Sequence, residues 1–170
     1  MKQLWPTIIL CIVATCSYGQ SLEIGYSPNS STVWATTPDV SHFTMGVNFY
    51  ETGVFTAYVR YVRLTFQKTY WDETGQIIAD THDALFFIPL KFRYENGRFE
   101  LFQRSGLGRF FEHFPTVRGM KTHFILEAGA KFRISNHTYI TLVYSHISNG
   151  YRSRLNPGVD NFVPSFVVSF

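Results

Sequence analysis

Apolar and polar residues alternate with period two over most of the chain. From Thr122 to Ile134, Thr122, Phe124, Leu126, Ala128, Ala130, Phe132 and Ile134 share one parity, and His123, Glu127, Lys131 and Arg133 share the other. From Ala84 to Tyr94 the even positions Ala84, Phe86, Ile88, Leu90, Phe92 and Tyr94 form an apolar side, with Lys91 and Arg93 between them. Phe43, Met45, Val47 and Phe49 alternate with Thr44, Gly46 and Asn48. Successive side chains of a strand point to opposite faces, so these stretches read as two-faced strands. Followed along the chain, the pattern predicts eight strands, over 21–27, 42–50, 54–66, 84–95, 98–111, 121–134, 137–148 and 159–170. The stretch 54–66 keeps the pattern least well. Arg60 and Arg63 have opposite parities there, so a bulge or a shifted register is expected.

The connections sort into two kinds. Thr52-Gly53, Asn96-Gly97 and Ser135-Asn136 mark very short turns, and Asn-Gly favours a type I′ hairpin. The alternate connections, near 28–41, 67–83, 112–120 and 149–158, are long. An even number of antiparallel strands with short turns at one end and long loops at the other is the pattern of an eight-stranded transmembrane β-barrel of the bacterial outer membrane. Strand length agrees, since a tilted spanning strand needs about 9–11 residues. The last strand places Phe162, Phe166, Val168 and Phe170 on one parity, an aromatic end of the kind such barrels carry. The alternative is a soluble secreted β-sandwich. It explains less well why charged residues repeatedly lie opposite the aromatics, as a polar lumen requires. A barrel of this size is filled by its own side chains, so porin-like conduction is excluded and function is expected on a wall or in a loop.

The first 20 residues, MKQLWPTIILCIVATCSYGQ, differ in kind. A basic Lys2, an apolar run from Thr7 to Ala14 and small residues at Ser17 and Gly19 describe a secretory signal peptide over 1–19, leaving 20–170 as the barrel. The run is far short of the roughly 20 residues that a transmembrane helix needs. Cys11 and Cys16 both lie in this segment, so the mature chain is expected to have no disulfide, zinc-binding thiol or cysteine nucleophile. Cys16 as an acylated lipoprotein cysteine is disfavoured by Thr15, where a smaller residue is usual. Composition then has a cause. The chain is 45% hydrophobic with 17 Phe and 10 Tyr, and its mean hydropathy is -0.02. Apolar residues facing lipid and charges facing inward cancel, and the aromatics are expected to be wall and girdle rather than core. The net charge of +3 without a basic run gives no nucleic-acid surface.

Candidate chemistry gathers near the C-terminus. In TYITLVYSHISNG the even positions Thr138, Ile140, Leu142, Tyr144, His146 and Ser148 share a face, so an apolar, lipid-facing row ends in a histidine and a serine. Residues at i and i+2 of a strand point the same way, about 6.5–7 Å apart, so imidazole and hydroxyl can approach each other. Serine attacks only when a base takes its proton, and that base needs an acid to fix its tautomer. Asp160 shares parity with Phe162 and Phe166, and a hairpin over 149–158 would bring it beside His146. The bland alternative is a chance His-x-Ser pair in contact with lipid headgroups.

The stretch HISNGYRSRLNPGVDNF resembles the C-terminal signature of the lipid A 3-O-deacylase (PagL-type) family of outer-membrane esterases. There His-x-Ser-Asn is followed by an Asn-x-Gly loop and an acid. The resemblance is motif-like over about the last 30 residues and architectural elsewhere. It implies that Ser148 is the nucleophile, His146 the base and then acid, and Asp160 the residue that orients His146. Asn149, with the backbone N–H groups beside it at Gly150, would stabilise the oxyanion. The family usually carries Glu as the acid, so Asp160 is a departure of one methylene. The implied substrate is an ester-linked, 3-hydroxylated acyl chain of lipid A in lipopolysaccharide, met in the outer leaflet without extraction. No cofactor and no metal are implied, and a homodimer is compatible. Arg152 and Arg154 are either solvated loop charges or contacts to lipid A phosphates, and Arg118 and Lys121 raise the same question. A non-enzymatic small barrel and an outer-membrane phospholipase remain as alternatives.

Other signals carry less. Asn29-Ser30-Ser31 and Asn136-His137-Thr138 are glycosylation sequons, which matter only in a eukaryotic secretory pathway. His42, His82, His113, His123 and His137 lack metal-ligand spacing. Gly106-Leu107-Gly108 lacks the third glycine of a nucleotide loop and reads as strand glycine beside bulky rings.

Overall fold

The computed structural model describes residues 21–28, 40–66, 70–71, 77–78, 81–111, 122–148 and 159–170. Its strands are β1 (Ser21–Ser27), β2 (Val40–Thr52), β3 (Phe55–Phe66), β4 (Tyr70–Trp71), β5 (Ile77–Ile78), β6 (Thr81–Asn96), β7 (Phe99–Phe110), β8 (Thr122–Arg133), β9 (Thr138–Ser148) and β10 (Val159–Ser169). Eight of them close a barrel in the order β1-β10-β9-β8-β7-β6-β3-β2, while β4 and β5 form a separate two-residue pair. All neighbouring strands are antiparallel, and β1 closes the barrel by pairing Ser21–Gly25 with Ser169–Ser165 of β10. The predicted strands are therefore all present. β2 starts two residues and β6 three residues earlier than the alternation suggested, which brings Val40, Ser41, Thr81, His82 and Asp83 into the sheet.

The short turns differ from expectation by one residue. Thr52 pairs with Phe55 and Asn96 with Phe99, so the loops are Gly53-Val54 and Gly97-Arg98. Each glycine takes the first loop position with φ of 55° and 62°, a backbone that side-chain-bearing residues rarely adopt.

A further expectation is corrected. The even residues of β6 do not share one face. Ala84, Phe86 and Ile88 point into the barrel, whereas Phe92 and Tyr94 are exposed on its wall. A register shift against β7 between Phe87 and Leu90 inserts the residue that reverses the parity. In β3, by contrast, alternation runs unbroken from Thr56 to Leu64, and Arg60 is interior while Arg63 lies on the outer wall. Arg63 is held there by Asp83, with Nε to Oδ1 at 2.7 Å and Nη2 to Oδ2 at 2.9 Å. The register shift expected of this stretch lies nearer the short-turn end, at Phe55/Tyr58 against β6, and β2 carries another at Asn48/Tyr50 against β3.

The interior is layered. Toward the short turns, Lys91 meets Glu100 at 2.8 Å and Glu51 at 3.3 Å. In the middle, Arg60 and Arg104 each pair with both Glu23 and Glu127, and the Tyr58 hydroxyl donates to Glu23 at 3.0 Å. Toward the long connections, Val40, Val62, Leu64, Ala84, Phe86, Ile88, Phe110, Ile125, Ile147 and Val159 pack into one apolar plug. Part of the aromatic content is thus core, with Phe86 and Phe110 meeting edge to face at 6.2 Å. The plug fixes the strand ends at which the candidate chemistry sits.

Candidate active site

The plug positions the site through the alternation of β9 and β10. Ile147 and Val159 point inward into it, so their neighbours His146, Ser148 and Asp160 point outward. The register sets Asp160 opposite His146 and Phe162 opposite Tyr144. Residues opposed in this way have Cβ atoms about 4.5–5.5 Å apart, so a carboxylate on a single methylene can reach the ring beside it. His146 Nδ1 and Asp160 Oδ1 are 2.7 Å apart. The Asp160 side chain is 5% exposed and that of His146 32%, so the acid is sheltered while the ring keeps an open edge.

With Nδ1 engaged by Asp160, Nε2 is the nitrogen left to exchange a proton with a hydroxyl. Ser148 lies two residues further along the same outward row, opposite Phe124 of β8, and is buried at 7% exposure. The three residues singled out by parity are therefore gathered on one patch of the wall at the long-connection end. Asn149, Gly150, Arg152 and Arg154 lie outside the described residues, as do Arg118 and Lys121. The segment 1–19, expected to be a signal peptide, does too. Among the described residues, no group of three or more His, Cys, Asp or Glu converges on a point that could hold a metal ion.

Two features were not read from the sequence. The Tyr144 hydroxyl donates to Asp160 Oδ1 at 2.5 Å, the same oxygen that meets His146. Its membership of the row Tyr144, His146, Ser148 was available as a signal. The second feature is an open groove of about 580 Å³ on the outer wall, which starts at Tyr144 and Phe162 and crosses Ala128 and Gln103 to Phe92 and Tyr94. Phe162, Tyr144, Ala128, Gln103 and Phe92 are successive cross-strand partners, so small Ala128 lies low between bulky neighbours. That row depends on register, which no single strand reveals.

On the opposite side of the barrel, the Tyr61 hydroxyl and Arg63 both engage Asp83, at 2.6 Å and 2.7 Å. This outward polar cluster holds no serine or histidine and offers no nucleophile.

A family model described as lipid A 3-O-deacylase (PagL) matches residues 24–168. The fold is similar to the crystal structure of the outer membrane enzyme PagL, with a TM-score of 0.55 and 13% identity over 89% of this chain and 99% of that one. It is also similar to Neisserial surface protein A, with a TM-score of 0.58 and 10% identity over 89% of this chain and 95% of that one. At these identities the two structures speak for the barrel alone. No curated protein matches the chain by sequence.

Proposed function

The chain belongs to the lipid A 3-O-deacylase family of outer-membrane barrels, and from that premise we propose that it is a serine esterase in which Ser148, His146 and Asp160 remove an ester-linked 3-hydroxyacyl chain from lipid A. The observation that carries this reading is the 2.7 Å contact between His146 Nδ1 and Asp160 Oδ1 on the outward face that also bears Ser148. A wall residue of a purely structural barrel gains nothing from a sheltered carboxylate aimed at an imidazole, since ionisable groups facing hydrocarbon are costly.

In the proposed reaction His146 Nε2 takes the Ser148 hydroxyl proton as Oγ attacks the ester carbonyl. Asp160 holds the ring in the tautomer with hydrogen on Nδ1 and stabilises the imidazolium that forms. The tetrahedral intermediate places negative charge on the former carbonyl oxygen, which Asn149 and the backbone N–H at Gly150 would receive. His146 then protonates the departing sugar oxygen, and the acyl group stays on Ser148. A water deprotonated by His146 hydrolyses this acyl-enzyme, releasing the fatty acid and restoring the serine. The groove beside Tyr144 gives the acyl chain a place along the wall, so the ester meets the serine while its tail remains at membrane depth.

Export by the signal peptide over 1–19 and phosphate contacts from Arg152 and Arg154 belong to the same proposal. The likeness to the barrel of Neisserial surface protein A keeps a non-enzymatic barrel as the second reading. Mass spectrometry of lipid A from cells expressing the wild type or Ser148→Ala separates them. The expected result is loss of one 3-hydroxyacyl chain with the wild type only. Unchanged lipid A beside a folded wild-type barrel would refute the esterase. Chain loss that persists in Ser148→Ala would refute the nucleophile, and loss from glycerophospholipids in its place would make the protein a phospholipase.

A further inference from the structure

Resting on the esterase reading, we propose that Tyr144 is a positioning residue for the hydrolysis, its hydroxyl setting the angle of the Asp160 carboxylate that orients His146. Tyr144 precedes His146 by two residues on β9 and faces outward with it. Its hydroxyl donates to Asp160 Oδ1 at 2.5 Å, and His146 Nδ1 meets that oxygen at 2.7 Å. The ring is set in turn by Phe162, its cross-strand partner, with centroids 5.3 Å apart and planes at 53°.

The need for such a residue follows from the shape of aspartate. Its terminal torsion is broad and two-fold, so one bond from His146 leaves the carboxylate plane loosely defined. A second donor on the same oxygen, approaching from the next outward-facing pair along the strands, fixes that plane. The surroundings add a second reason. On a wall facing hydrocarbon an anionic oxygen depends on protein donors, and each donor lost is costly. The imidazole changes charge during the cycle as Nε2 gains and loses its proton. The phenol stays a neutral donor throughout, so its hold on the carboxylate does not change while that of the imidazole does. The same ring also forms the head of the groove, which places the acid's support against the region proposed for the acyl chain.

Tyr144→Phe removes the hydroxyl and keeps the ring, its packing on Phe162 and the groove. With purified protein in micelles and lipid A as substrate, kcat is expected to fall about ten- to a hundredfold, the range for a hydrogen bond to a charged group. KM should stay within about twofold, because the part of the wall that meets the chain is unchanged. In an Asp160→Asn background, Tyr144→Phe should add nothing, since its effect passes through the carboxylate. A readout independent of turnover is the proton on His146 Nδ1, observed by NMR in folded, histidine-labelled Ser148→Ala protein; Tyr144→Phe should shift it. Full kcat in Tyr144→Phe, an unmoved resonance, or an equal cost in the Asp160→Asn background would each overturn the role of Tyr144 while leaving the esterase standing. A folded wild type that leaves lipid A intact would overturn the esterase reading and this role together.

Discussion

Replacing Arg60 with methionine should cost the barrel about 3–5 kcal/mol, the range for removing one member of a buried ionic group. Arg60 is fully buried and pairs with Glu127 and Glu23, and its Nε donates to the Tyr58 hydroxyl at 3.2 Å. Without the guanidinium, Glu23 and Glu127 share Arg104 alone, and the middle layer changes from two charges of each sign to an excess negative charge. Methionine fills much of the same volume, so the loss reports charge and hydrogen bonding rather than a cavity. At about 1.4 kcal/mol per factor of ten, the folding equilibrium should fall by roughly 10²–10⁴. The measurement is reversible urea unfolding in lipid vesicles, followed by the gel shift between folded and unfolded barrel. The midpoint should fall with little change in slope. A second variant tests the cause. Adding Glu127→Met to Arg60→Met restores the balance, with Glu23 and Arg104 still paired, and should recover much of the loss. A cost below about 1 kcal/mol for the single variant, or a double variant no more stable than the single, would refute the charge-balance reasoning.

Three further outcomes test the site and its frame. Asp160→Asn should leave the barrel folded yet lower kcat about 10²–10⁴-fold, because an amide in place of the carboxylate no longer enforces the tautomer with hydrogen on Nδ1; a steady-state assay on lipid A checks it. Ala128→Trp should fill the groove between Tyr144 and Phe92, slowing release of long acyl chains while a short water-soluble ester is cleaved at the wild-type rate. Equal slowing of both substrates would argue against the groove as the acyl site. Gly46→Ala should destabilise the barrel by about 1–3 kcal/mol, since its methyl would fall on the Tyr58 hydroxyl and ring and displace them from Glu23, and urea unfolding measures the loss.

The site was legible to the extent that it rests on strand parity. His146, Ser148 and Asp160 could be assigned to one outward face from spacing alone, and His146 Nδ1 lies 2.7 Å from Asp160 Oδ1. Tyr144 shares that parity, but a tyrosine in an apolar row reads as wall. Only the partner opposite shows that its hydroxyl has a carboxylate to hold. The groove was beyond a strand-by-strand reading, because its low floor at Ala128 is defined by residues of five strands.

The same division runs through the whole fold. An eight-stranded barrel with short turns at one end is legible in the amino-acid sequence, since period-two alternation and turn residues are local properties. The sequence could not determine where alternation slips, because a bulge adds one residue without a local mark. The shift between Phe87 and Leu90 is what turns Ala84, Phe86 and Ile88 inward and leaves Phe92 and Tyr94 on the wall. Nor could it separate core aromatics from lipid-facing ones, since both faces of a strand next to an apolar plug are apolar. Tertiary structure decided that the plug lies behind His146 and Ser148, the charged layer below it and the groove beside them. Each depends on residues that meet only when the barrel closes.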